Sequence, residues 1–177
     1  MPEVSGSESV FSLQPVTVAD TPFLRELYRE VRRPDLALMG WPEAQVQAFC
    51  SMQFDFRVAS HGQYQPALTT SVVRVADAAV GRLDVVHGPR QWRLVNVELL
   101  TAWRGRGLGR QLIEGLQQHA VQAGVPVVLK VEVGSRAAAL YRRCRFESVQ
   151  SDGFLEQMVW RPATPPLHTM KVDVFNG

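Results

Sequence analysis

The sequence predicts an α/β chain of the α+β kind, with about seven strands and about four helices. Three observations lead there. Segments of period-two apolar alternation and segments of helical periodicity follow one another in the order β-α-α-β-β-β-α-β-α-β-β. Residues 94–123 join a β-branched apolar run to a long amphipathic stripe through a turn holding three glycines and three arginines. The chain of 177 residues, 46% hydrophobic and 20% charged, is long enough for one domain with its own core.

The elements follow in order. Residues 1–9 are polar and read as a disordered leader before the domain, which spans residues 10–161. Residues 10–14 form a first strand with Phe11 and Leu13 on one face. Thr17 to Asp20 has the spacing of a capping box. After it Phe23, Leu24, Leu27, Tyr28 and Val31 make a helical stripe to about Arg32, where Arg33-Pro34 interrupts. Residues 35–41 are an apolar connector. Residues 42–59 are a second helix with Val46, Phe49, Cys50, Gln53 and Phe56 on one side. Residues 67–75 and 80–87 are strands about a turn at Asp77-Ala78, and Gly88-Pro89-Arg90 turns into the next strand. There Val95, Val97 and Leu99 share one face, and Asn96 and Glu98 the other.

Leu108, Leu112, Leu116 and Ala120 recur every fourth residue of a long helix that Gly124 caps. Residues 126–133 are a strand with Lys130 and Glu132 on one face. Ser135 caps a short helix over residues 136–144. Residues 146–150 and 154–161 pair across Ser151-Asp152-Gly153 as a hairpin. Residues 162–166 are a Pro-rich linker, and residues 167–177 a tail with weak alternation.

Net charge is +2, too small to argue for nucleic acid. The start of the sequence lacks an apolar signal core, and no apolar run approaches the roughly 18 residues a membrane span needs. Cys50 and Cys144 both fall in helical patterns and read as reduced, buried thiols. The expectation is a cytoplasmic protein without nucleic-acid or membrane partners. The tail can add to the sheet edge of a second copy, which would make a homodimer. No His/Cys/Asp/Glu set has metal-ligand spacing.

The turn Arg104-Gly105-Arg106-Gly107-Leu108-Gly109-Arg110 is a place for phosphate. The first amides of a helix have no internal partner and face outward with the positive end of the helix dipole. Gly107 and Gly109 let an anion approach the backbone, and Arg104, Arg106 and Arg110 add charge-assisted hydrogen bonds. A P-loop needs Lys-Ser/Thr where Arg110-Gln111 stand, and a dinucleotide fingerprint needs a different glycine spacing. An RGG-like RNA-binding segment sits badly in so apolar and periodic a context.

The stretch resembles the acyl-coenzyme A signature of the GNAT N-acetyltransferase superfamily, Gln/Arg-x-x-Gly-x-Gly/Ala, with Arg104, Gly107 and Gly109 in its three fixed places. The element order is similar to that fold, and the resemblance covers residues 10–161. It implies a mixed, largely antiparallel sheet splayed between its fourth and fifth strands. It implies acetyl-coenzyme A as co-substrate with no metal, and an amine acceptor, small molecule or peptide. The cofactor-binding set it implies is Val97, Glu98 and Leu99 through their backbone, residues 104–110, and Tyr141. Ala137-Ala138-Ala139-Leu140-Tyr141 is close to the family's A-x-x-L-Y run, which makes Tyr141 the general acid for the leaving thiolate. Glu132 and Glu98 are the two candidates for the base; His87 and His119 are weaker ones. A base is needed because a primary amine, with a pKa of about 10.4, is neutral about once in 10³ molecules at pH 7.

Two departures stand out. Gly134 occupies the place of a cofactor-touching Asn, and Arg145 that of a helix-ending Gly. Arg136, Arg142, Arg143 and Arg145 can compensate by gripping phosphates. The implied activity is transfer of an acetyl group to a primary amine. The alternative is a catalytically weak acyl-coenzyme A-binding sensor or interaction module on the same fold.

Overall fold

The computed structural model describes residues 11–64 and 67–163. The expected leader, and the tail with all but the first two residues of the linker, lie outside the described residues. So does the homodimer contact expected of the tail. One seven-stranded sheet runs in the order β1-β2-β3-β4-β5-β7-β6. Its strands are β1 (Ser12–Pro15), β2 (Leu68–Val75), β3 (Ala78–His87), β4 (Trp92–Leu99), β5 (Val127–Glu132), β6 (Glu147–Ser151) and β7 (Leu155–Trp160). The helices are α1 (Thr21–Ala37), α2 (Glu43–Tyr64), α3 (Leu108–Ala123) and α4 (Arg136–Arg143). All neighbouring strands pair antiparallel except β4 and β5.

The sheet separates two apolar layers. On one face Leu108, Leu112, Ile113, Leu116 and Ala120 of α3, with Ala138 and Tyr141 of α4, pack on Leu83, Val85, Leu99, Leu129, Val131 and Met158. In a second layer Leu24, Tyr28 and Leu36 of α1 pack on Val46, Cys50 and Phe54 of α2.

Three expectations are corrected. Pro34 does not end α1, which runs on to Ala37. Its last turn buries Leu36 against α2, and that contact outweighs the hydrogen bond that a proline cannot make. The buried stripe of α2 contains Phe54, whereas Phe56 is 71% exposed. The helix is apolar on more than one side, so periodicity alone chose the wrong phenylalanine. The third correction is in β4, where unbroken alternation fails. Asp84 pairs with Asn96 but Val85 with Leu94, which leaves Val95 as an extra residue. This bulge puts Leu94 on the same core layer as Val97 and Leu99.

The bulge also explains the splay. β4 meets β5 only at Trp92–Val127 and Arg93–Val128. Beyond the bulge the two strands pair no further, so a slot opens between residues 97–99 and the C-terminal half of β5.

Candidate active site

Leu100 N–H donates to the Val80 carbonyl at 2.9 Å. Backbone groups alternate sides along a strand, so Glu98 turns toward β3 while Val97 and Leu99 turn toward the slot. The Leu99 carbonyl is already engaged, accepting from Arg104 Nε at 2.8 Å. The backbone of Val97 and the Leu99 N–H remain to pair with an extended ligand.

β4 leads through a 3₁₀ turn, Thr101–Trp103, into the glycine-arginine segment. Gly105 and Gly107 take φ 74 and 83, angles open to glycine and costly for other residues. Gly107 has nothing within 4 Å of where a Cβ would stand, so the space beside it is open. Gly109 is small for a different reason: a Cβ there would meet Leu140 at 3.4 Å and Leu99 at 3.9 Å. It lets the start of α3 close on α4 and β4. Gln111 N–H reaches the Gly107 carbonyl at 3.1 Å. The amides of Leu108, Gly109 and Arg110 precede that first helical bond and point outward.

They open into a cleft of about 490 Å³ lined by Leu99, Arg104, Gly107, Gly109, Arg110 and, from α4, Arg136, Leu140 and Arg143. The arginines divide by partner. Arg110 pairs with Glu114 at 2.7 Å, and Arg106 lies over the Trp103 ring at 5.4 Å. Among the described residues Arg136 and Arg143 have no carboxylate partner, so both are free to meet an anion. Arg142 is not: its guanidinium donates to both oxygens of the buried Glu156, at 2.7 and 2.8 Å. Arg145 stands at φ 64 and ends α4, with Phe146 N–H bonded back to the Tyr141 carbonyl at 3.0 Å. Gly134, at φ 74, occupies a left-handed position that Gly and Asn tolerate best.

Tyr141 is buried in the α3/α4 layer with its ring 5.7 Å from that of Phe146. Burial pushes its hydroxyl up to about 12, so it keeps its proton at neutral pH. It does not line that cleft, which Leu140 of the same turn does. Glu98 and Glu132 project from the opposite face of the sheet, on the two lips of the slot. The side-chain oxygens of Glu98 accept from Arg57 of α2 at 3.1 and 3.2 Å. Glu132, the last residue of β5, is exposed and pairs with no cation among the described residues.

The histidines lie elsewhere. His87 and His119 line a separate groove of about 740 Å³ beside α3, with Phe11, Trp92 and Gly115. The groove faces the α3 side of the sheet, away from both glutamates. Cys50 and Cys144 are buried free thiols, and burial pushes both up. No helix among the described residues is long and apolar enough to cross a membrane. Sequence reasoning missed Arg57: it falls in the middle of α2 and carries no motif, and only packing aims it at Glu98.

The profile described as the acetyltransferase (GNAT) family matches residues 23–146. No curated protein matches the chain by sequence. Solved structures share the fold. An acetyltransferase from Thermus thermophilus is 23% identical with a TM-score of 0.63, over 87% of this chain and 98% of its own. The PaiA N-acetyltransferase from Thermoplasma acidophilum, in complex with coenzyme A, is 13% identical with a TM-score of 0.64, over 87% and 100%. A Salmonella typhimurium acetyltransferase described as modifying the N-terminal serine of ribosomal protein L7/L12 is 16% identical with a TM-score of 0.63, over 88% and 96%.

Proposed function

The chain belongs to the acetyltransferase (GNAT) family, and from that premise we propose that it is an N-acetyltransferase, moving an acetyl group from acetyl-coenzyme A to a primary amine of a small molecule or peptide. One observation carries the reading. The glycine-opened start of α3 and the two free arginines of α4 face one cleft, which Leu99 at the end of β4 also lines.

The residues fit the carrier. Gly107 leaves an empty seat where a side chain would stand, and the outward amides of residues 108–110 suit a pyrophosphate. Arg136 and Arg143 replace the contact that an Asn at the Gly134 position would make, and suit further phosphate charge. The backbone of Val97 and the N–H of Leu99 suit the amides of the pantetheine arm. When bound, acetyl-coenzyme A supplies a thioester already activated for attack by an amine. The protein's own groups then do the rest. Glu132 or Glu98 takes the amine's proton, directly or through water. A backbone N–H on the slot's edge steadies the acyl oxygen. Tyr141, protonated at any physiological pH, offers its hydroxyl to the departing sulfur.

A second reading has its own support. Tyr141 lies in the core, and Gly134 offers no side chain to the carrier, which would suit a protein that binds acyl-coenzyme A without rapid turnover. The test is thiol release from acetyl-coenzyme A over a broad panel of primary amines, wild type against Tyr141→Phe. The enzyme reading expects release with at least one amine and a loss of about 10²-fold in the variant. Tight carrier binding with no release from any amine would replace it with the sensor reading.

A further inference from the structure

Two carboxylates flank the slot, and they differ in company. Glu98 is tied to Arg57 through both side-chain oxygens, at 3.1 and 3.2 Å. The pair is largely out of water, with the side chains 15% and 11% exposed for Arg57 and Glu98. The Tyr28 ring covers the guanidinium, its centroid 4.8 Å from the central carbon. Arg57 Nε is buried with no acceptor. Glu98 is therefore the sole anion that Arg57 meets among the described residues. The other acids near this face are spoken for: Asp55 pairs with Arg25, and the buried Asp84 with Arg82 and Asn96. Glu132 has no such partner.

We propose that Arg57 is a positioning residue of the acceptor site, holding the Glu98 carboxylate in place on the β4 lip to orient the amine and leaving proton removal to Glu132 on the β5 lip. A carboxylate offers about four acceptor positions, of which a guanidinium fork uses two. The remaining lone pairs suit the N–H groups of an incoming ammonium. Glu98 thus attracts and orients the protonated amine. Glu132, exposed and uncommitted, first takes a proton from that ammonium, and the nitrogen lone pair so freed then closes on the acyl carbon while the C–S bond breaks. Arg57 acts only through Glu98, from a helix that no motif marks.

This inference rests on the acyl-transfer reading, and the experiment separates the two. Thiol release is measured with the best amine of the panel for wild type, Glu98→Gln, Glu132→Gln, Arg57→Gln and Arg57→Lys. Coenzyme A binding by calorimetry confirms that each variant is folded and loaded. Glu132→Gln lowers kcat about 10²-fold or more with little change in KM for the amine. Glu98→Gln raises that KM about tenfold or more and lowers kcat less than Glu132→Gln does. Arg57→Gln reproduces the KM rise, Arg57→Lys recovers most of it, and the Arg57→Gln/Glu98→Gln double variant is no worse than Glu98→Gln alone. A collapse of kcat in Glu98→Gln with Glu132→Gln unaffected, or an unchanged KM in Arg57→Gln, overturns the assignment. Failure of wild type to release thiol with every amine removes the acyl-transfer reading, and this one falls with it.

Discussion

Arg145 shows how one residue departs from its family's habit and what that costs. The end of α4 needs a left-handed residue so that Phe146 N–H can turn back to the Tyr141 carbonyl, and Arg145 supplies it at φ 64. For a side chain with a Cβ this backbone costs roughly 1–2 kcal/mol, and for glycine almost nothing. Arg145→Gly is therefore expected to stabilise the protein by about 1 kcal/mol and to raise the melting temperature by about 2–4 °C. Thermal unfolding of the two proteins checks this; an unchanged or lower midpoint contradicts it. The same closure seats Phe146 against Tyr141, so the cap also fixes the ring that the proposed chemistry uses. For Tyr141, burial makes the protonated hydroxyl the state that folding favours. Its contribution is whole below pH 10 and is lost only as pH climbs from 10 towards 12.

At the scale of the element, the 3₁₀ turn Val18–Asp20 that leads into α1 is secured by Asp20. Its carboxylate accepts from the Thr17 backbone N–H at 2.9 Å and hydroxyl at 2.8 Å, and from Arg74 of β2 at 2.7 Å. One side chain thus closes the turn before α1 and ties it to the sheet. The Thr17 bonds hold the carboxyl below its ordinary 3.8, with Arg74 adding to the pull against burial. A lowered acid contributes stability above its unfolded value and loses it as pH falls through the folded one. Asp20→Asn is expected to cost about 1.5–3 kcal/mol at pH 7. The gap between the two proteins should shrink as pH drops below about 4. Denaturant unfolding at pH 7 and pH 3 reads both; an equal gap at the two values means that the ionised form is not what matters.

At the scale of the whole molecule, the cleft couples a loop, two helices and a strand end, so filling it should stabilise everything that meets there. A carrier at one hundred times its Kd adds about 2.7 kcal/mol, which for a chain of this size is a rise of roughly 5–10 °C in melting temperature. Gly107→Val should erase the rise, because its side chain would fill the seat and its φ of 83 would resist any Cβ. The shift on adding coenzyme A is the quantity to compare, since the variant also melts lower without ligand. A full shift in Gly107→Val would move the binding site elsewhere.

Several features were legible in the chain alone because they are local. The Thr17–Asp20 spacing, the Ser135 cap, the four-residue stripe of α3 and the run of glycines and arginines each depend on neighbours in sequence, where backbone geometry fixes the outcome. From them followed the element order, the fold class and the family. What the tertiary structure alone decided depends on contacts between distant residues. The bulge at Val95 arises from pairing with β3, Leu36 carries α1 past Pro34 by docking on α2, and Phe54 displaces Phe56 because α2 turns that side to α1. The tie from Arg57 to Glu98 spans 41 positions and leaves no periodic trace. Charge partners of this kind are chosen by packing, and packing is a property of the assembled layers rather than of any one stretch.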